Sequence, residues 1–92
     1  MTPRITLTVT EGGEFELAVN EAGRDLLVYE LQGLSETNDH VHLAPDEDLG
    51  ELVVSTRPYR PTDKVLTWGK LLFRPDAWDK QHFPHVMTDE PG

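Results

Sequence analysis

Arg4-Ile5-Thr6-Leu7-Thr8-Val9-Thr10-Glu11-Gly12-Gly13-Glu14-Phe15-Glu16-Leu17-Ala18-Val19-Asn20 is the stretch from which the fold is read. Apolar residues alternate with threonine from 5 to 10, and again with polar or small residues from 14 to 19. A period of two over good strand formers marks two half-buried strands, and the glycine pair between them marks a turn, so the runs form a hairpin. Register follows from matching the faces. A two-residue Gly12-Gly13 loop sets Val9 opposite Glu16 and sends the apolar faces to opposite sides. A three-residue loop, Glu11-Gly12-Gly13, pairs Val9 with Phe15, Leu7 with Leu17 and Ile5 with Val19, and supplies a glycine for the left-handed position. The second register is the one expected.

Outward from the hairpin, Asn20 is placed to cap a helix from Glu21 to Leu34, with Glu21 and Asp25 near the positive end of its dipole. Leu27, Leu31 and Leu34, widened by Leu26 and Ala22, form the stripe that packs on the sheet. Gly23 and Gly33 oppose the helix by up to about 1 kcal/mol each. After the polar turn Ser35–Asn38, His40-Val41-His42-Leu43 and Gly50–Ser55 read as strands flanking an acidic loop, Ala44–Leu49. The prolines of Arg57-Pro58-Tyr59-Arg60-Pro61 confine that segment to a connection. Lys64–Phe73 suits helix or strand by apolar content; β-branched Val65 and Thr67 and the central Gly69 favour strand. In the tail, Pro75–Asp79 fits one helical turn, Trp78, Phe83, Val86 and Met87 are expected to anchor on the domain, and residues 88–92 to fray. The expectation is a single α+β domain over residues 1–87: a mainly antiparallel sheet in the order β-β-α-β-β-β, with one helix on one face and the other face solvated or used for binding.

Size and composition narrow the function. Ninety-two residues build one hydrophobic core, and 37% hydrophobic with 27% charged is a globular composition. Cysteine is absent, which removes disulfide and thiolate chemistry and fits a cytoplasmic location. No apolar run reaches the length of a signal peptide or of a membrane span. The net charge of −9 is unevenly placed, with twelve acids against two bases in residues 1–56. Such a field repels phosphate backbones and anionic lipid and attracts a basic protein surface, so nucleic acid and membrane are excluded as partners and a basic protein is favoured. The plainer role of the same charge is solubility.

Few residues carry chemistry. His40 and His42 point to one side of a strand and form a candidate metal pair, to be completed by Asp39 or by His82 and His85 of the tail; the stronger reading is that two surface histidines at the start of a short strand need no metal. No serine sits in a nucleophile elbow, no glycine-rich phosphate loop precedes a helix, and no carboxylate pair is marked as acid and base. An enzyme is therefore not expected, and no cofactor. Glu36 to Glu51 is more informative: Glu36, Asp39, Asp46, Glu47, Asp48 and Glu51 are six carboxylates with no Lys or Arg among them. They are the candidate partner-binding surface, since a dense negative field steers and holds a basic partner, although acidic loops are also common as solvated surface. Trp68 joins them as the aromatic expected to face away from Val65, Leu71 and Phe73.

Asn20-Glu21-Ala22-Gly23-Arg24-Asp25-Leu26-Leu27, Asp39-His40-Val41-His42-Leu43 and Gly50-Glu51-Leu52-Val53-Val54 together resemble the immunity protein 32 family of bacterial polymorphic toxin systems. The likeness covers about two-fifths of the chain, and leaves out the Arg57–Pro61 connection and the tail. It implies a small cytoplasmic α+β antidote that binds a cognate toxin. Two other readings stand beside it: a metal-binding protein or metal-dependent enzyme using His40 and His42, and a homodimer or larger homo-oligomer associating through an exposed sheet edge or face.

Overall fold

Strands β1 (Ile5–Val9) and β2 (Phe15–Val19) pair antiparallel, with Ile5 opposite Val19, Leu7 opposite Leu17 and Val9 opposite Phe15. This is the register that face matching requires. The loop closes through Thr10, whose N–H donates to the Glu14 carbonyl at 2.8 Å and whose hydroxyl accepts from the Glu14 N–H at 3.0 Å. Gly13 takes φ 84°, the left-handed position for which glycine is needed. The computed structural model describes residues 1–87, so the fraying expected for 88–92 lies outside the described residues.

The hairpin uses its faces differently from the alternation. Ile5 is buried, but so are Thr6 and Thr8 on the opposite side of β1. The connection Arg57–Pro61 closes over that side: Arg60 bridges Glu16, the cross-strand neighbour of Thr8, and its Nε donates to the buried Asp63 Oδ1 at 3.0 Å. On β2 the apolar side stays open, with Phe15, Leu17 and Val19 all exposed.

Helix α1 (Glu21–Gln32) begins at the expected cap. The Asn20 side-chain oxygen accepts from the Gly23 N–H at 2.7 Å and the Arg4 N–H at 2.9 Å, and its amide donates to the Thr2 carbonyl at 2.9 Å. One side chain thus caps the helix and ties it to the chain entering β1. Gly23, which propensity counts against the helix, is its one fully buried residue, pressed against the Arg4 backbone. Leu26, Leu27 and Leu34 pack on the core, whereas Leu31 is 47% exposed. The Leu27/Leu31/Leu34 stripe is therefore corrected: the buried side of the helix is rotated toward Leu26.

The remaining strands are β3 (His40–Ala44), β4 (Leu52–Val53), β5 (Lys64–Val65) and β6 (Gly69–Leu72). With β1 and β2 they make the mainly antiparallel α+β fold expected, its strands divided between two three-stranded sheets, β2-β1-β5 and β4-β3-β6. All pairs are antiparallel except β3 with β4, which run parallel with Leu43 beside Leu52 and Ala44 beside Val53. Lys64–Phe73 is strand, as its composition favours, but in two pieces. The first edges β1 and the second edges β3, with the chain crossing between sheets at residues 66–68.

Between the sheets and α1 lies one core of Ile5, Val41, Leu43, Leu52 and Val54, flanked by Leu7, Leu26, Leu27, Leu34 and Leu71. After β6 the chain forms a second helix, α2 (Asp76–His82), and a 3-10 turn over Pro84–Met87, more than the single helical turn expected. Trp78 is half-buried, with the Arg74 guanidinium 4.3 Å above its ring. Phe83, Val86 and Met87 are exposed and do not anchor the tail as expected. The radius of gyration, 15.5 Å, exceeds the roughly 12 Å of a compact chain of this length. No helix among the described residues is long and apolar enough to cross a membrane.

Candidate functional site

The acidic loop between β3 and β4 owes its shape to three local features. The Asp46 side chain accepts from the Asp48 N–H at 2.9 Å, and the Asp46 carbonyl accepts from the Leu49 N–H at 3.0 Å, which folds the loop into a turn. Gly50 then passes so close to β3 that a Cβ would come within 2.9 Å of the His42 carbonyl oxygen and 3.1 Å of the Ala44 Cβ. Glu51 completes the return: its carboxylate accepts from the His42 backbone N–H at 2.8 Å.

Around this loop the chain leaves a groove of about 650 Å³. Pro3, Leu26, Pro45 and Val53 give it apolar walls, while Asp46, Glu47 and Glu51 bring carboxylates to it; among the described residues no Lys or Arg lines it. Asp48 lies on the other side of the loop, where it lines a recess of about 360 Å³ with His42, Glu47 and Glu51. Glu36 and Asp39 belong elsewhere, to a cleft of about 280 Å³ with Phe73, Pro75 and Trp78. The six carboxylates read from the sequence therefore divide, four around the loop and two under the tail helix. Trp68 is 65% exposed and lines none of these three hollows.

The two groups are joined by the histidines of β3. His40 Nδ1 stands 2.8 Å from Asp39 Oδ1, His42 Nδ1 stands 3.4 Å from Glu51 Oε2, and the two imidazoles meet edge to face with centroids 4.8 Å apart. The hydrogen bond with His40 holds the Asp39 carboxyl below its ordinary range, with the charge of His40 adding to it. Glu51 is likewise lowered, chiefly by the His42 backbone N–H. Each imidazole thus has a carboxylate at Nδ1, an arrangement that also orients metal-binding histidines. Among the described residues, however, no group of three or more His, Asp or Glu side chains converges on a point where an ion would be held. His82 and His85, the tail candidates for completing such a set, lie instead against aromatic rings, His82 tilted on Trp78 with centroids 4.4 Å apart and His85 edge-on to Phe83.

Sequence reasoning located the acids of the groove but not its walls. Pro3 and Leu26 are distant from the loop along the chain, and nothing in their local pattern announces that the cap at Asn20 brings them to it. No family model, curated protein or solved structure matches the chain.

Proposed function

We propose that this chain is a protein-binding domain whose acidic groove receives basic side chains of a partner, and that it serves as a cytoplasmic antidote covering the basic surface of a toxin. The observation that carries the reading is the pairing of apolar walls with three carboxylates and no basic residue in one groove. An arginine or lysine has the matching form, since its aliphatic stem rests on apolar surface while its charged head is held by carboxylates. The surrounding negative charge would draw such a partner in and repel nucleic acid and anionic lipid. The resemblance of residues 20–27, 39–43 and 50–54 to the immunity protein 32 family supports the antidote form of the reading.

The test is genetic and physical together. The gene should protect a host from a secreted-toxin gene encoded beside it, and the purified complex should weaken as salt rises. The triple variant D46K/E47K/D48K should keep its circular dichroism spectrum and lose most of the protection. Full protection by that variant, or a complex indifferent to salt, would remove the acidic loop from the account.

A further inference from the structure

We propose that strand β2 is the seat of a two-fold homodimer, in which the β2 strands of two copies pair antiparallel and join their first sheets into one. The surface is separate from the acidic groove, so the inference stands apart from the reading above.

The edge itself is the first observation. In the order β2-β1-β5, no strand among the described residues lies on the outer side of β2; Tyr59 and Arg60 share a hollow with Glu16, Leu17 and Ala18 without pairing to the strand. Thr10 with Glu14, and Arg4 with Asn20, bond across the hairpin, so by the alternation of an antiparallel ladder the even residues of β2 turn their backbone groups toward β1. Phe15, Leu17 and Val19 turn theirs outward. Their side chains are exposed at 58%, 46% and 38%, large fractions for three apolar residues in a row on one face.

The contrast with the other edges is the second observation. β4 and β5 are two residues long, β5 begins with Lys64, and β6 carries Gly69 and Lys70, which are the usual means of blunting an edge. β2 is five residues long and has neither lysine nor proline. It is the edge left fit for pairing.

Charge and register select the occupant as a second copy. A two-fold axis at Leu17 sets Leu17 against its own mate and Phe15 against Val19 of the partner, so every outward-facing backbone group finds an outward-facing group. Glu16 then lies opposite Ala18, and Glu14 opposite Asn20, with no two like charges face to face. Moving the axis to Glu16 would oppose the two Glu16 carboxylates and leave Val19 unmatched. The axis stands perpendicular to the sheet, so both α1 helices lie on the same face. Val19 and Arg24 border one crevice at the start of α1.

Absence of native cysteine gives a direct test. In a hydrogen-bonded antiparallel pair, opposed Cα atoms are about 5.5 Å apart, within disulfide range. Leu17→Cys should form a covalent dimer under mild oxidation, whereas Glu14→Cys, whose mate would be roughly 20 Å distant, should not. In sedimentation at micromolar concentration the wild-type chain should show twice the monomer mass, more completely as salt screens the repulsion between two chains of net charge −9. Leu17→Lys should sediment as a monomer and keep the circular dichroism spectrum of the wild type, with a thermal midpoint that, unlike the wild type's, does not rise with protein concentration. A monomeric wild type at every concentration and salt, a Leu17→Lys dimer, or equal cross-linking at positions 14 and 17 would each overturn the proposal. The rise of association with salt is opposite to the response expected of the acidic groove, so the two surfaces cannot be mistaken for one another.

Discussion

Gly23 stands so close to the Arg4 carbonyl that no Cβ fits between them. The first turn of α1 is in this way seated on the backbone that enters β1, and the glycine is a condition of that seat. Gly23→Ala therefore sets two effects against each other: better helix propensity, worth about 1 kcal/mol, and a clash with immovable backbone, costing about 2–3 kcal/mol. The clash wins. Urea unfolding should show a net loss of about 1–2 kcal/mol, where propensity alone predicts a gain.

Asn20 serves the same junction by hydrogen bonding to Thr2, Arg4 and Gly23 at once. Removing an ordinary helix cap costs about 1 kcal/mol, and here two further bonds go with it. Asn20→Ala should cost about 2 kcal/mol, and hydrogen exchange should show the Arg4 and Gly23 amides losing protection ahead of the strand centres.

Leu52 and Leu31 offer a paired test of the core. Leu52 is fully buried, and Leu52→Ala should cost about 2–5 kcal/mol through lost burial and a cavity. Leu31, with nearly half its surface in water, should lose less than about 1 kcal/mol as Leu31→Ala. Equal losses would restore the helical stripe read from the sequence.

Arg60 holds Asp63 and Glu16 from outside, while Asp63 is buried and its Oδ2 has no hydrogen-bonding partner among the described residues. Arg60→Met leaves that carboxylate buried without its counter-ion and should lower the urea midpoint with little change in slope. Adding Asp63→Asn should recover part of the loss, because the uncompensated charge is then gone. A midpoint unchanged by Arg60→Met would mean that the pairing is idle.

Acid should loosen the chain through Asp39 and Glu51. Both carboxyls are held below their ordinary values of 3.8 and 4.5, so the stability they contribute is complete above those values and is lost as pH falls through the lowered ones. A thermal melt series below about pH 4.5 should show the decline. Glu51→Gln, which cannot titrate, should begin less stable at neutral pH and decline less steeply in acid.

The parts of this fold legible in the sequence are those governed by near neighbours. The hairpin register follows from face matching across a short loop, and the helix start from one asparagine. What escaped were long-range pairings. Nothing local distinguishes a continuous strand over Lys64–Phe73 from one that leaves β1 at Val65 and reaches β3 at Gly69. The same holds for the binding surface. The carboxylates of the acidic loop are visible as a run, but their division into two clefts depends on where Trp78 and Leu26 come to rest. Phe15, Leu17 and Val19 read as core because alternation reports which residues share a face, not whether anything covers it.

The passage from β5 to β6 bears on how the protein is made. Until Gly69–Leu72 has emerged from the ribosome, β3 has only the two-residue β4 beside it, and until Lys64–Val65 appears the outer end of β1 is bare. The last strand of the first sheet ends at Val65 and that of the second at Leu72, of 92 residues, so neither sheet can close before residue 65 is made and both close within seven residues of each other. A nascent chain of this kind completes its sheets late, and a stall before residue 64 would leave β1 and β3 each with one open edge.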